Sequence, residues 1–359
     1  MPVTRENLLA ALDACIDPLL GTGLVACGAV KRAELHGQRA AIELELGFPA
    51  AGYRDALVQR VRDTLAQALG IDASVQVSWR IQAHAVQKNL KPLAQIRNII
   101  AVASGKGGVG KSTVAVNLAL ALQAEGARVG ILDADIYGPS QPRMLGSSDR
   151  PTSPDGKLMN PIIAHDLQAM SIGFLVDEEQ PMIWRGPMVT QALNQMLVET
   201  RWNDLDYLVV DLPPGTGDIQ LSLAQRIPVS GAVIVTTPQD IALLDARRGL
   251  QMFAKVEVPV LGIVENMAWH VCSNCGHREA IFGEGGGARM AQQYNVELLG
   301  QLPLDLRIRE QADNGRPTVV AEPDSDIAQR YRDIARRAAA RLAYGVQAPA
   351  FPNIEISDD

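Results

Sequence analysis

The sequence is short of cysteine. Its 359 residues include four, Cys15, Cys27, Cys272 and Cys275, two isolated and two in a close pair. That is no disulfide framework, and it points to a reducing compartment, the cytoplasm. Long apolar runs are missing too. Nothing approaches the ~20 residues that a membrane-spanning helix needs. The N-terminus "MPVTRENLLAALDACIDPLL" mixes acidic residues with apolar ones, unlike the charged-then-apolar layout of a signal peptide. Basic charge is in deficit: Lys and Arg number 33 against 40 Asp and Glu, for a net charge of -7. Neither a membrane nor nucleic acid is therefore an expected partner, since the latter is bound through a basic face. Repeats and low-complexity blocks are also absent.

What is present is ordinary globular material, 47% hydrophobic and 20% charged, enough for two or three domains with a sizeable core. Residues 1–84 read as a small α+β domain. "TRENLLAALDAC" has helical periodicity with Thr4 as N-cap, "RAAIELELGF" alternates like a strand, and "AGYRDALVQRVRDTLAQALG" is an amphipathic helix stopped by Gly70. Residues 85–97, with several basic residues, no acid and one proline, read as a linker. Residues 98–345 alternate short Val/Ile/Leu runs with helical segments, which predicts a doubly wound α/β domain with a mostly parallel sheet. Residues 346–359 form an acidic tail.

The second domain opens on a phosphate loop. "GKGGVGKS", Gly105 to Ser112, fits G-x-x-x-x-G-K-[ST], follows a strand and opens a helix. In such a loop the backbone amides of Gly105, Lys106, Gly107, Gly108, Val109, Gly110, Lys111, Ser112 and Thr113 converge on phosphate oxygens at a helix N-terminus. Lys111 is placed for the β and γ phosphates, and Ser112 for Mg²⁺. Asp211, ending the strand "YLVVD", suits the same Mg²⁺. Asp133 and Asp135 end another strand; one of them would orient the attacking water, whereas Asp133 could instead hold its own loop together. Gly215 and Gly217 suit a loop that senses the γ-phosphate.

Cys272 and Cys275 form a C-x-x-C pair flanked by His270 and His277. A redox dithiol, a zinc knuckle completed by the histidines, half of a four-thiolate site shared by two chains, and two plain buried thiols are all compatible with it. A [4Fe–4S] cluster needs four ligands, and a twofold dimer would supply the pair twice. Cys15 and Cys27 read as small buried apolar side chains.

"SGKGGVGKST", "DADIYGPSQPRMLG", "VVDLPPGTGD", "TTPQDIALLDARRG" and "CSNCG" occur together and in this order. Over about residues 95–345 the chain resembles the Mrp/ApbC family of iron–sulfur cluster carrier ATPases, within the deviant Walker A class of MinD and ParA. Residues 1–84, with Asp17-Pro18, resemble the MIP18-like domain often found ahead of it. The resemblance implies an ATPase that holds a labile [4Fe–4S] cluster between the Cys272 and Cys275 pairs of a homodimer. Such a protein takes the cluster from an upstream donor and delivers it to apoproteins. The resemblance also implies that Lys106 reaches across the dimer to the partner's nucleotide, that Asp135 rather than Asp133 positions water, and that Asn266 bonds adenine. Trp184 and Met188, in "PMIWRGPMVTQAL", are read as packing at the dimer or cluster side. The chain departs from the family in two respects. Its "LGFPAAGY" lacks the cysteine often carried there, which argues against cluster handling by the small domain. It also lacks the four-cysteine extension of eukaryotic Nbp35 relatives, so no second cluster is expected.

Three other functions fit less of the sequence. A MinD- or ParA-like positioning ATPase needs a basic patch or a membrane-seeking tail. The arginine-rich segment near the C-terminus instead has a core-facing stripe of Ile327, Tyr331, Ile334, Ala338 and Leu342. A small-molecule kinase needs a substrate pocket that the sequence does not reveal. A scaffold without hydrolysis is disfavoured by the presence of Lys111, Asp135 and Asp211.

Overall fold

The computed structural model describes residues 3–84, 87, 90–176 and 186–345, with the side chains of residues 186, 187 and 218 left aside. The acidic tail and Trp184 lie outside these residues.

The small domain contains α1 (Arg5–Ala14), β1 (Val30–His36), β2 (Arg39–Leu46), α2 (Arg54–Leu69) and β3 (Asp72–Trp79). Thr4 caps α1 in a capping box with Asn7. β2 alternates buried and exposed positions, so one face of the sheet carries the core. It pairs antiparallel with β1 and, through the α2 crossover, parallel with β3. Leu57, Val61 and Leu65, one turn apart, face that sheet, and α2 ends where Gly70 turns left-handed at φ 66°.

The large domain runs through β4 (Ile96–Ala103), α3 (Lys111–Ala124), β5 (Val129–Asp133), α4 (Gln141–Leu145), β6 (Ile162–Ala164), β7 (Leu167–Ser171), α5 (Gly186–Val198) and β8 (Leu205–Asp211). It continues through α6 (Asp218–Arg226), β9 (Gly231–Thr236), α7 (Asp240–Lys255), β10 (Val260–Glu265), the short hairpin β11 (His270–Val271) and β12 (Arg278–Glu279), α8 (Gly286–Tyr294) and β13 (Leu298–Gln301). It closes with α9 (Leu306–Asp313), α10 (Thr318–Ala321) and α11 (Asp326–Tyr344). Eight strands form one sheet in the order β13-β10-β9-β4-β8-β5-β7-β6, parallel except for the edge strand β6. Central strands such as β8 and β9 are buried at every position, because helices cover both faces. The doubly wound sheet expected from the sequence is present, and so is the α11 stripe: Ile327, Tyr331, Ile334, Ala338 and Leu342 are all buried. Among the described residues no helix is long and apolar enough to cross a membrane.

The segment read as a linker needs correcting in two ways. β4 begins at Ile96, inside it. The chain leading into it is also docked: Asn98 Nδ2 donates to the Gln82 carbonyl at 2.8 Å, the His84 amide donates to Asn98 Oδ1 at 3.0 Å, and Gln87 Nε2 donates to the Ala224 carbonyl at 2.7 Å. Gln87 thus meets a backbone carbonyl near the end of α6, and the backbone of Gln82 and His84, just ahead of the segment, meets the Asn98 side chain of β4, satisfactions that composition does not reveal.

The small domain packs on the sheet face covered by α3 and α11. One continuous apolar core includes Leu8, Phe48 and Leu57 together with Val114, Leu118, Leu122 and Tyr331. At its rim, Glu125, fully buried just beyond the end of α3, accepts the Gly52 amide at 2.8 Å and faces Arg336 of α11 at 3.5 Å. Burial pushes the Glu125 carboxyl up, while Arg336 and the Gly52 amide pull it back. Tyr344 Oη accepts the Gly47 amide at 3.0 Å. Trp79 lies so close to Gly126 that a Cβ there would sit 2.7 Å from its ring. Glu125→Ala would leave the buried Arg336 with Asp333 as its remaining acidic partner and the Gly52 amide unpaired. It should cost about 3 kcal/mol in urea-unfolding stability, and Glu125→Gln distinctly less, since an acceptor remains.

Candidate functional site

Strand register builds the site. Asp133 stands beside Asp211, and Asp211 beside Val102, so the carboxyl ends of β5, β8 and β4 lie abreast. The chain leaving β4 is the phosphate loop. Gly108 and Gly110 take φ of 81° and 80°, conformations that L side chains avoid. Gly107 and Gly108 have nothing within 4 Å of a built Cβ, so the loop is open above them. Below, Gly105 lies against the Asp245 backbone, where a Cβ would be 2.2 Å away, and Gly110 lies against Asn266, whose Nδ2 would be 2.3 Å away. That nitrogen donates to the Val109 carbonyl at 2.8 Å. In this structure Asn266 thus props the loop from beneath.

Lys111, the first residue of α3, is 6% exposed. Its ammonium is paired with Asp211 and donates to Ser112 Oγ at 3.1 Å. Lysine, serine hydroxyl and carboxylate thus meet at the mouth of the loop, which is the donor set that a phosphate chain and its Mg²⁺ require; the residues fit the group. Lys106, half-buried, turns back on its own chain toward Gln239 Oε1 at 3.4 Å.

The two aspartates after β5 have separate roles. Asp133 is fully buried and accepts the backbone amides of Asp135, Ser140 and Gln141 and the Ser171 hydroxyl, all within 3.0–3.1 Å. It holds the 134–141 loop together. Burial pushes its carboxyl up to about 7, reinforced by Asp211 alongside, while the amides of Gln141 and Asp135 and then Lys111 pull it back. Asp135 is half-buried, and its carboxyl is raised first by burial and lowered by Lys111. It is the acid left on the loop side. Two residues that sequence reasoning passed over complete the floor. Gln141, 1% exposed, donates from Nε2 to Asp211 Oδ2 at 2.9 Å and to the Ser112 carbonyl at 3.2 Å. Glu265, fully buried, accepts the Gly287 amide at 2.6 Å at the start of α8. Across the mouth, the Gly215 amide donates to the Ser104 carbonyl at 3.0 Å, tying the "DLPPGTG" loop to the phosphate loop.

The cysteine pair sits on the hairpin after β10. Its root is anchored. The buried Trp269 lies between the guanidinium groups of Arg278 and Arg330, 4.1 and 4.9 Å from the ring centre. The Leu304 amide donates to the Trp269 carbonyl at 2.7 Å. The tip is open: Cys275 is exposed and Cys272 half-exposed. The Asn274 and Cys275 amides, the Cys275 thiol and, more weakly, His270 hold the Cys272 thiol below its ordinary pKa. Cys272 bonds back to His277 backbone at 2.9 Å, and Gly276 turns left-handed at φ 72° to let its amide reach the Cys272 carbonyl. His270 Nδ1 pairs with the Leu304 carbonyl at 3.0 Å. Among the described residues no group of three or more His, Cys, Asp or Glu stands together as a metal site. Cys15 is buried and Cys27 partly so, as small apolar side chains.

The family described as NUBPL iron-transfer P-loop NTPase matches residues 95–339, and that described as iron-sulfur cluster assembly protein matches residues 5–79. The chain belongs to the NUBPL iron-transfer P-loop NTPase family. Within it, the chain is 56% identical over 327 residues to the iron-sulfur cluster carrier protein of Haemophilus influenzae, covering 90% of this chain and 88% of that one. It is 50% identical over 280 residues to the iron-sulfur cluster transfer protein NUBPL of Mus musculus, covering 77% and 88%. Among solved structures, the nucleotide-binding protein of Archaeoglobus fulgidus in complex with ADP shares 38% identity with a TM-score of 0.56, over 65% of this chain and 90% of that one. The cell division ATPase MinD of Pyrococcus furiosus, at 23% identity and a TM-score of 0.51 over 67% and 97%, shares the fold.

Gly110 is both left-handed and pressed on Asn266. Gly110→Ala should weaken ATP binding by at least about tenfold in calorimetric titration, through backbone strain and a displaced loop. Gly107→Ala, where space is open, should weaken it less.

Proposed function

We propose that the protein is an ATP-hydrolysing carrier of iron–sulfur clusters that works as a cytoplasmic homodimer, takes a [4Fe–4S] cluster from a donor and passes it to apoproteins. The observation that carries this reading is the open Cys272–Cys275 tip. It offers two thiols, one held toward thiolate, on a hairpin that leaves the same sheet edge as the phosphate loop. Two thiolates are half of what a [4Fe–4S] cluster takes, and a twofold axis supplies the other two. Exposed apolar side chains on segments that follow strand ends favour a second copy of the chain as partner. Tyr137, Met188, Ile241, Leu244, Val271 and Ile281 are large apolar side chains at least 46% exposed, all on segments that follow the carboxyl ends of strands.

For hydrolysis, Lys111 would leave Asp211 for the β and γ phosphates; Ser112 and Asp211 would hold Mg²⁺, which would screen the phosphate charge. Asp135, its carboxyl raised by burial, is placed to orient the attacking water. Asn266 keeps the loop seated and lies on the side proposed for adenine. Lys106 must leave Gln239 to reach a partner's nucleotide, a 3.4 Å contact that is easily exchanged. Nucleotide state reaches the cargo through the loops that Asp133 and Gly215 tie to the site.

Anaerobic reconstitution with iron and sulfide tests the carrier reading. A dimer with about four irons and four sulfides is expected, and Cys272→Ala or Cys275→Ala should abolish its absorption. A cluster that survives either change, or zinc with no iron uptake, would overturn it. Lys106→Ala should slow ATP hydrolysis by about 10³-fold, the scale of a lost cationic finger, while ATP affinity by calorimetry stays near that of the unchanged protein.

A further inference from the structure

Gln141 occupies a position that the nucleotide reading does not use. It is the first residue of α4, eight residues beyond Asp133, on the loop that carries Asp135. Its backbone amide donates to Asp133 Oδ2 at 3.1 Å, and its side-chain nitrogen bridges Asp211 Oδ2 and the Ser112 carbonyl. One residue thus touches the loop's anchor, the carboxylate proposed for Mg²⁺ and the backbone of the serine proposed for Mg²⁺. The other end of its amide is the informative part. Gln141 Oε1 is buried and has no hydrogen-bond partner among the described residues. A buried amide oxygen left unpaired is costly, and a glutamine held by two good bonds at its nitrogen cannot turn away to relieve it. An acceptor kept free beside two cation-holding groups matches what the hydration shell of Mg²⁺ offers, because that ion keeps several of its waters when bound by proteins.

We infer that Gln141 is a positioning residue for the magnesium site: its Nε2 fixes Asp211, and its Oε1 provides an acceptor for the hydration shell of the cation. This rests on the reading that the phosphate loop binds MgATP. The nitrogen contact has a clear purpose within that reading. Once Lys111 moves to phosphate, Asp211 loses its partner at Oδ1, and Gln141 at Oδ2 is the contact that keeps the carboxylate oriented. The same side chain also joins the cation to the Asp135 loop, so occupancy of the metal site and placement of the water-orienting acid become one arrangement.

The test is titration of a fluorescent ATP analogue into the full-length protein, once in EDTA and once across a magnesium series, with thermal melting recorded alongside. Gln141→Met keeps volume and the backbone bond to Asp133 but removes both amide groups. Its affinity should fall less in EDTA than with magnesium, and the magnesium needed for half of the affinity gain should rise about tenfold, the usual effect of losing a group that orients a metal ligand. Gln141→Glu keeps an acceptor and adds negative charge beside Asp211. Its melting temperature should fall without magnesium and recover more than that of the unchanged protein when magnesium and nucleotide are added. A magnesium midpoint in Gln141→Met equal to that of the unchanged protein would overturn the proposal. So would equal losses with and without magnesium, the mark of a packing role, or a Gln141→Glu protein whose magnesium response is unaltered. If the unchanged protein itself showed no magnesium-dependent nucleotide binding, the nucleotide reading would fall and the inference with it.

Discussion

The structure turns on one electrostatic fact: two fully buried carboxylates stand side by side, and one ammonium lies among them. Asp133 and Asp211 are register neighbours on β5 and β8, and Lys111 reaches them from the first turn of α3. Like charges this close cannot both ionise in a dry site without compensation. The compensation divides unequally. Asp211 takes the lysine, and Asp133 takes three backbone amides and a hydroxyl. Asp133 is thereby committed to structure. Asp211 is held by partners that can be exchanged, an ammonium and an amide, and so is free to serve a cation.

Much else follows from that arrangement. Three of the four donors that satisfy Asp133 come from the loop carrying Asp135, so the buried charge determines where that acid sits. Lys111 also begins α3, whose other end carries Glu125 against the small domain. The helix is almost wholly buried and all but lacks charge between these two ends. Each end is fixed by a buried ionic contact rather than by helix capping, and the small domain is part of that fixture.

The order of strands and helices was legible because buried strands must be Val/Ile/Leu runs and surface helices must show a stripe; β8, α2 and α11 all obey this. Lys111 and Ser112 could be singled out because a phosphate loop constrains spacing, and Asp211 because it ends a strand; the structure brings the three side chains together. The two roles open to Asp133 could not be separated in the sequence, since only the register with Asp211 and the turn at Ser140 bring four donors to one carboxylate. Gln141 and Glu265 gave no signal, being polar residues whose partners lie 70 and 22 positions away. The linker misled for the same reason. Its composition is that of a free tether, yet Gln87 finds a backbone carbonyl on the large domain, and just ahead of it the backbone of Gln82 and His84 is held by the Asn98 side chain. Asn266 was read toward adenine from its place after β10, and the structure adds a contact to the loop beneath, visible only once Gly110 is known to leave no room for a Cβ.

The cysteine hairpin combines a rigid root with a bare tip. Trp269 is buried with two guanidinium groups over its ring, whereas Cys275 is exposed. Thiols placed this way exchange ligands without any unfolding, because an incoming thiolate can approach along the line a departing one vacates. The same openness leaves them undefended against peroxide, which attacks exposed thiolates first. Ease of release and sensitivity to oxidation are therefore one property of this turn, and burying the pair to protect it would also lock in whatever it holds.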